Sequence, residues 1–146
     1  MNRDVDHIAE HLVPRASLLT RLLLRQSGTD IPRSEAGVLG TLGRGARRIT
    51  DLAEHEGLAQ PTMTLLIKRL EKRGWVARER DEADGRAVLV SLTPAGFAAV
   101  QEARAGYRAV LQDRLRSMTD AEVAALTTAT DALGGLVEAL QRGDER

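Results

Sequence analysis

Apolar side chains recur along most of this chain at spacings of three and four, the period of a helix with one buried face. Over residues 5–25, Ile8, Leu12, Leu19, Leu22 and Leu23 share one side, with Asp4 near the start and Gly28 past the end. Pro14 interrupts this stretch and predicts a kink or a late start, because it has no amide N–H to donate. Residues 29–33 form a connector. Ser34 has the character of an N-cap for a helix reaching about Leu42, closed by Gly43 and Gly45. Thr50 is placed to cap a short helix over residues 51–56, whose acids suit a helix start. Gly57 supplies a turn. Residues 60–73 then predict a longer helix that buries Met63, Leu66, Ile67 and Leu70 and ends at Gly74.

The period then changes. Residues 75–80 and 86–92 read as two strands, with Asp84-Gly85 as the hairpin signal between them. Thr93-Pro94 opens another helix, to about Arg116, through Phe97, Val100, Tyr107 and Leu115. Thr119 and Glu122 form a capping box for a last helix with the stripe Val123, Leu126, Leu133, Leu136 and Leu140. The fold class is mainly α with a small β-hairpin wing.

Composition narrows the chemistry. There is no cysteine, which excludes disulfides, thiolate metal sites and thiol redox sensing. No apolar run of the ~20 residues needed to span a bilayer stands out, and the start lacks a signal peptide's apolar centre. The expectation is a cytoplasmic protein with no membrane partner. Net charge is zero, and residues 33–90 hold eleven basic side chains against nine acidic ones. Any electrostatic footprint must therefore come from placement rather than bulk charge.

A helix, a Gly turn, a second helix with a basic tail and a hairpin, in that order, make the layout of a winged-helix DNA reader. The major groove admits one α-helix, and base edges there present distinct donors and acceptors. A reading helix needs short polar groups near its N-terminus and long basic groups where phosphates pass. Gln60, Thr62 and Thr64 suit the first demand. Lys68 and Arg69, followed by Lys72 and Arg73, suit the second. Arg86 sits at the hairpin tip, from which an arginine can enter a narrow minor groove.

Leu70-Glu71-Lys72-Arg73-Gly74-Trp75-Val76, then Arg78 with Arg80, then Asp81-Glu82-Ala83-Asp84-Gly85-Arg86, then Leu92-Thr93-Pro94-Ala95-Gly96 follow one another closely. This series resembles the MarR family of bacterial regulators, and the resemblance extends through the flanking helices. It implies one MarR-like domain over residues 1–146, with a winged helix–turn–helix at 34–92 and a helical dimerisation part at 5–28 and 93–142. It implies a homodimeric repressor that binds double-stranded DNA at a palindromic operator and is released by a small-molecule effector, with no cofactor and no catalysis. The DNA-binding residues it implies are Gln60, Pro61, Thr62, Thr64, Lys68, Arg69, Arg78 and Arg86, with Asp84 orienting the wing arginine. One departure is Ala59, where the family usually carries a serine; the capping hydroxyl lost is worth about 1 kcal/mol in typical systems.

Dimerisation also follows from packing. The first and last two helices carry more apolar surface than one small winged helix can cover, and a symmetric partner would bury it. Two reading helices one duplex turn apart, ~34 Å, would then address two half-sites.

Other readings compete. His7-Ile8-Ala9-Glu10-His11 matches the H-x-x-E-H pattern of inverted zinc peptidases, with two histidines on one helix face and a glutamate as base. A milder version is a metal-responsive regulator using His7 and His11. A winged helix can also serve as a protein-interaction module. Finally, Arg15, Leu19, Leu22 and Phe97, with Arg25 and Tyr107, are candidates to border an effector pocket suited to an aromatic acid.

Overall fold

The computed structural model describes residues 2–144. Their order is α1 (Arg3–Gln26), α2 (Arg33–Leu42), β1 (Arg47–Arg48), α3 (Ile49–Glu56), α4 (Gln60–Lys72), β2 (Val76–Arg80), β3 (Val88–Leu92), α5 (Pro94–Leu115) and α6 (Asp120–Asp144). Internal contacts divide the chain into two compact units, residues 1–109 and 110–146, with the boundary inside α5.

The first unit is built around a core of Val38, Leu39, Leu42, Leu52, Ala53, Met63, Leu66, Ile67, Leu70, Val76, Val90 and Val100. Four of these come from α4, at the positions its periodicity predicts. Truncating any of the fully buried leucines to alanine carries the usual cost of about 2–5 kcal/mol. The sheet is antiparallel with order β1-β3-β2. Its register runs from Val76 opposite Leu92 to Arg80 opposite Val88, and β1 adds Arg47 opposite Val90 and Arg48 opposite Leu89. The two-residue strand β1 has no alternating pattern of its own and was not expected.

Several helix starts differ from expectation. α2 begins at Arg33 with Pro32 in the cap position, so Ser34 lies inside the helix. α3 begins at Ile49 with Arg48 before it, so Thr50 lies inside too. Pro32 and Arg48 are held in extended backbone just ahead of their helices, which sets both starts without a side-chain cap. α1 continues through Pro14, and Asn2 caps it by accepting the Asp4 N–H at 3.1 Å. α4 starts after Ala59 with no capping side chain, and Pro61 occupies its first turn. The missing hydroxyl is thus offset only by a residue preset for the helix.

Gly57 has φ 63° and Gly74 has φ 76°, both left-handed, and each terminates a helix of the helix–turn–helix. A side chain at either position would strain the backbone.

In the second unit, Thr119 and Glu122 make the expected reciprocal cap. The Thr119 N–H donates to Glu122 Oε2 at 2.9 Å and the Glu122 N–H to Thr119 Oγ1 at 3.3 Å. That backbone bond, with the Thr119 hydroxyl, holds the Glu122 carboxyl below its ordinary value. α6 exposes Leu126, Leu133, Leu136, Val137 and Leu140. One correction follows from this helix. Asp120–Gly143 is long and apolar enough, with a mean hydropathy of 1.3, to meet the length and composition of a membrane span. Small and threonine side chains between the leucines spread its apolar character beyond any continuous run. Thr127, Thr128 and Thr130 hide their hydroxyls by donating to carbonyls one turn back, at 2.7–3.2 Å.

Candidate nucleic-acid interface

Burial of Met63, Leu66, Ile67 and Leu70 fixes which side of α4 faces out. At about 3.6 residues per turn, Pro61, Leu65, Lys68 and Lys72 fall opposite that stripe. All four are exposed. Gln60, Thr64 and Glu71 flank them on one edge, and Thr62, Arg69 and Arg73 on the other. Leu65 was missed in reading the sequence. Its neighbour Leu66 is buried while Leu65 is 62% exposed, and only the phase of the helix separates them.

Both edges of α4 are pinned by ion pairs. On one, Arg78 of β2 donates from Nε and Nη2 to the two Glu71 oxygens at 3.0 and 2.9 Å. This fork–fork pair is the stronger geometry for a guanidinium and a carboxylate. It lowers the Glu71 carboxyl, chiefly through the hydrogen bond, and raises Arg78 for the same reason. On the other edge, Glu35 of α2 is buried, with its side chain 5% exposed. Arg69 Nε and Arg73 Nη1 each approach one of its oxygens at 3.6 Å. These are charge contacts too long for hydrogen bonds, and Glu35 Oε2 has no hydrogen-bond partner. Arg73 instead donates to the Asp30 carbonyl at 3.1 Å and stacks over Trp75 at 4.1 Å.

The structure therefore sorts the expected DNA-binding residues. Gln60, Pro61, Thr62, Thr64 and Lys68 lie on the outward side or edges of α4. Arg69 and Arg78 are held in pairs that fix α4 against α2 and β2.

The wing departs from a two-residue turn. Its strands stop at Arg80 and Val88, leaving residues 81–87 as the loop. Gly85 is not among the glycines with positive φ, so Asp84-Gly85 is not the mirror-image turn that the dipeptide suggests. Asp84 instead starts a turn in which its carbonyl accepts the Ala87 N–H at 2.9 Å and its Oδ1 accepts the Arg86 N–H at 3.1 Å. Asp84 thus meets Arg86 through the backbone rather than through the guanidinium. The base of the loop is tied down by Asp81, which accepts the Ala83 N–H at 3.0 Å and Arg48 at 2.8 Å. The Ala83 bond first, then Arg48, holds the Asp81 carboxyl below its ordinary value. Between the wing and the end of α4 lies an open groove of about 390 Å³ lined by Glu71, Arg78, Arg80, Arg86 and Val88.

Away from this face, a mostly apolar hollow of about 140 Å³ is lined by Leu24, Ile31, Leu39, Val100, Arg104 and Tyr107, among others. Beside it, sharing Leu24 and Ile31, is a hollow bordered by Arg21, Arg25 and Arg33. Of the expected pocket residues, Tyr107 lines the first hollow and Arg25 the second. Arg15, Leu19, Leu22 and Phe97 are not among the residues lining either hollow, and Leu19 and Phe97 are about half exposed.

His7 and His11 lie edge to face with ring centres 4.5 Å apart, and His11 Nε2 is 3.9 Å from Glu10. Among the described residues no group of three or more metal donors converges.

Comparison with known proteins agrees with this geometry. A sequence model of the MarR family matches residues 42–88, from the end of α2 to the start of β3. An HTH-type transcriptional regulator of Mycobacterium bovis is 33% identical over 122 residues, covering 83% of this chain and 85% of that protein. The structure of a MarR family protein from Bacillus stearothermophilus is 26% identical, with a TM-score of 0.76 over 94% of this chain and 99% of that one. BpsR of Bordetella bronchiseptica, whose DNA binding is regulated by 6-hydroxynicotinic acid, is 29% identical, with a TM-score of 0.62 over 86% of this chain and 98% of that one. With a winged helix–turn–helix in place and relatives that are transcription regulators, the zinc peptidase reading of His7, Glu10 and His11 falls away, and the chain belongs to the MarR family of DNA-binding transcription regulators.

Proposed function

We propose that this chain acts in the cytoplasm as a homodimeric repressor. It reads a palindromic operator through α4 and the wing, and an acidic small-molecule effector releases it. The observation that carries the reading is the outward side of α4. Pro61 and Lys68 are exposed there, with exposed Thr62 on one edge and half-buried Thr64 on the other, and none of the four belongs to the core. Thr62, Thr64 and Gln60 suit base edges, and Lys68 and Lys72 suit phosphates. Arg86 projects from a loop whose base is fixed by the Asp81–Arg48 pair, so it reaches a minor groove from a rigid support.

A second copy of the chain is supported by apolar side chains left exposed on two long helices. α1 leaves Val5, Ile8 and Val13 in solvent, and α6 leaves Leu126, Leu133 and Leu140. Exposed apolar side chains recurring along a helix, as on α6, mark an association site. Repression follows physically if a dimer spanning two half-sites occupies DNA that polymerase needs. The effector reading is supported by apolar walls beside Arg104 and Tyr107 and by the three arginines next door. Regulation of the Bordetella relative by an aromatic acid is consistent with that chemistry.

Selection of bound duplexes from a random pool tests the whole reading. A palindrome with half-sites one turn apart is expected. Lys68→Ala and Arg86→Ala should each lower the salt dependence of binding by about one counterion per protomer. Selection of no sequence, with no salt-dependent duplex binding, overturns it in favour of a protein-interaction module.

A further inference from the structure

We propose that Leu65 reads a thymine methyl group in the major groove and sets one base of the operator half-site. The proposal rests on the DNA-reading function above and adds a specificity-determining residue to it.

Leu65 is 62% exposed at the midpoint of α4, on the side opposite the helix's buried stripe. It takes no part in the core: Leu66 and Ile67 beside it are buried there, and Leu65 is not among the four side chains that α4 buries. A large exposed apolar side chain in the middle of a helix is unfavourable in water and becomes favourable only when covered. Its surroundings say what covers it. Pro61 lies one turn before it, and Lys68 and Lys72 lie on the same outward side. Acidic Glu71, on the edge of that side, is already neutralised by Arg78. The face around Leu65 is therefore net positive with one apolar centre. An apolar protein surface would match the leucine but not the lysines. Duplex DNA matches both, with phosphates for the lysines and the thymine C5-methyl, the apolar group of the major groove, for the leucine. Arg69, which could otherwise have competed for bases from the far edge, is drawn toward Glu35.

The experiment compares wild type and Leu65→Ala in selection from a random duplex pool. Each thymine of the preferred site is then replaced singly by deoxyuridine, which removes the methyl and nothing else. Wild type is expected to weaken about fourfold per half-site at one thymine, the worth of one buried methyl. Leu65→Ala should lose its preference for thymine at that position and ignore the deoxyuridine. Its salt dependence should stay unchanged, since no phosphate contact is lost. Because the side chain is exposed, thermal unfolding of the variant should match wild type, which confirms that it folds. If wild type selects an operator but no thymine responds to methyl loss, or Leu65→Ala selects the same base there, the inference is overturned while DNA reading stands. If wild type selects no duplex, DNA reading itself fails and the inference falls with it.

Discussion

Gly96, in the first turn of α5, lies so close to Trp75 that a β-carbon on it would overlap the Trp75 carbonyl oxygen. The two residues are locked together from both sides. The Thr93 N–H donates to that same carbonyl at 3.0 Å, and the Gly96 N–H donates to the Thr93 hydroxyl at 3.0 Å. Thr93 also donates its hydroxyl to the Gly74 carbonyl. One joint therefore fastens the end of α4, the start of β2 and the start of α5. Gly96→Ala must push backbone against backbone, and overpacking of that kind costs about 3 kcal/mol or more. Gly40→Ala is the contrasting case: a β-carbon there meets nothing within 4 Å, and alanine suits the interior of α2. Denaturant unfolding should show a clear drop in midpoint for Gly96→Ala and none, or a small rise, for Gly40→Ala.

The Glu35 cluster predicts an asymmetry. Its carboxylate is buried, whereas Arg69 and Arg73 both reach solvent. Removing the two cations strands a charge in the core, at about 3–5 kcal/mol. Removing the carboxylate leaves only arginines that water can hydrate, at about 1 kcal/mol. Arg69→Gln with Arg73→Gln should therefore destabilise far more than Glu35→Gln, and adding Glu35→Gln to the double variant should restore part of the loss. Equal effects from the two sides in chemical unfolding would mean that the cluster is not organised around the buried carboxylate.

Much of this molecule was legible beforehand because its signals are local. The buried side of α4 follows from Met63, Leu66, Ile67 and Leu70 alone, and the Thr119–Glu122 cap is complete within four residues. The signals that misled were also local, but tertiary context overrode them. Ser34 and Thr50 are good caps, yet Pro32 and Arg48 set the helix starts two residues earlier. Asp84-Gly85 suits a tight turn, yet Asp81 and Arg48 hold open a longer loop. The pairing of Arg78 with Glu71, and of Arg69 with Glu35, was invisible for a different reason. Glu35 lies 34 positions before Arg69, and nothing in either segment announces the other. The same holds for the hollow. Leu24, Leu39 and Val100 come from three separated helices, so which side chains of α1 and α5 line it is decided by tertiary packing that neither segment announces.

The pins of the wing set a pH window. Glu71 is lowered from an ordinary value of 4.5 by Arg78, and Asp81 from 3.8 by the Ala83 N–H and Arg48. A carboxyl with a depressed folded value contributes stability that is fully present above its ordinary value and is lost as pH falls through the depressed one. Between pH 7 and 5 the wing should therefore stay fixed and DNA affinity should not change through these groups. Loosening should begin only below about pH 4. Carboxyl carbon shifts followed by NMR would check this, and a midpoint for either group at or above its ordinary value would contradict the geometry. In Arg78→Gln the Glu71 midpoint should move back up, while Asp81 stays where it was.

Arg104 offers the sharpest test of the proposed effector site. It borders the apolar hollow with Tyr107 and makes no ion pair among the described residues. A guanidinium beside apolar walls favours a ligand with one carboxylate and one ring, the acid meeting the charge and the ring displacing solvent. An aromatic monocarboxylic acid should accordingly raise the melting temperature of wild type in proportion to the logarithm of its concentration, because it binds the folded state alone. Arg104→Gln should flatten that response while leaving operator binding in the absence of acid intact, since the residue is remote in sequence from α4 and the wing. A neutral amide of the same acid should give little shift with either protein. An undiminished response in Arg104→Gln would move the acid's anchor to Arg21, Arg25 and Arg33, and the triple glutamine variant at those positions would then lose it.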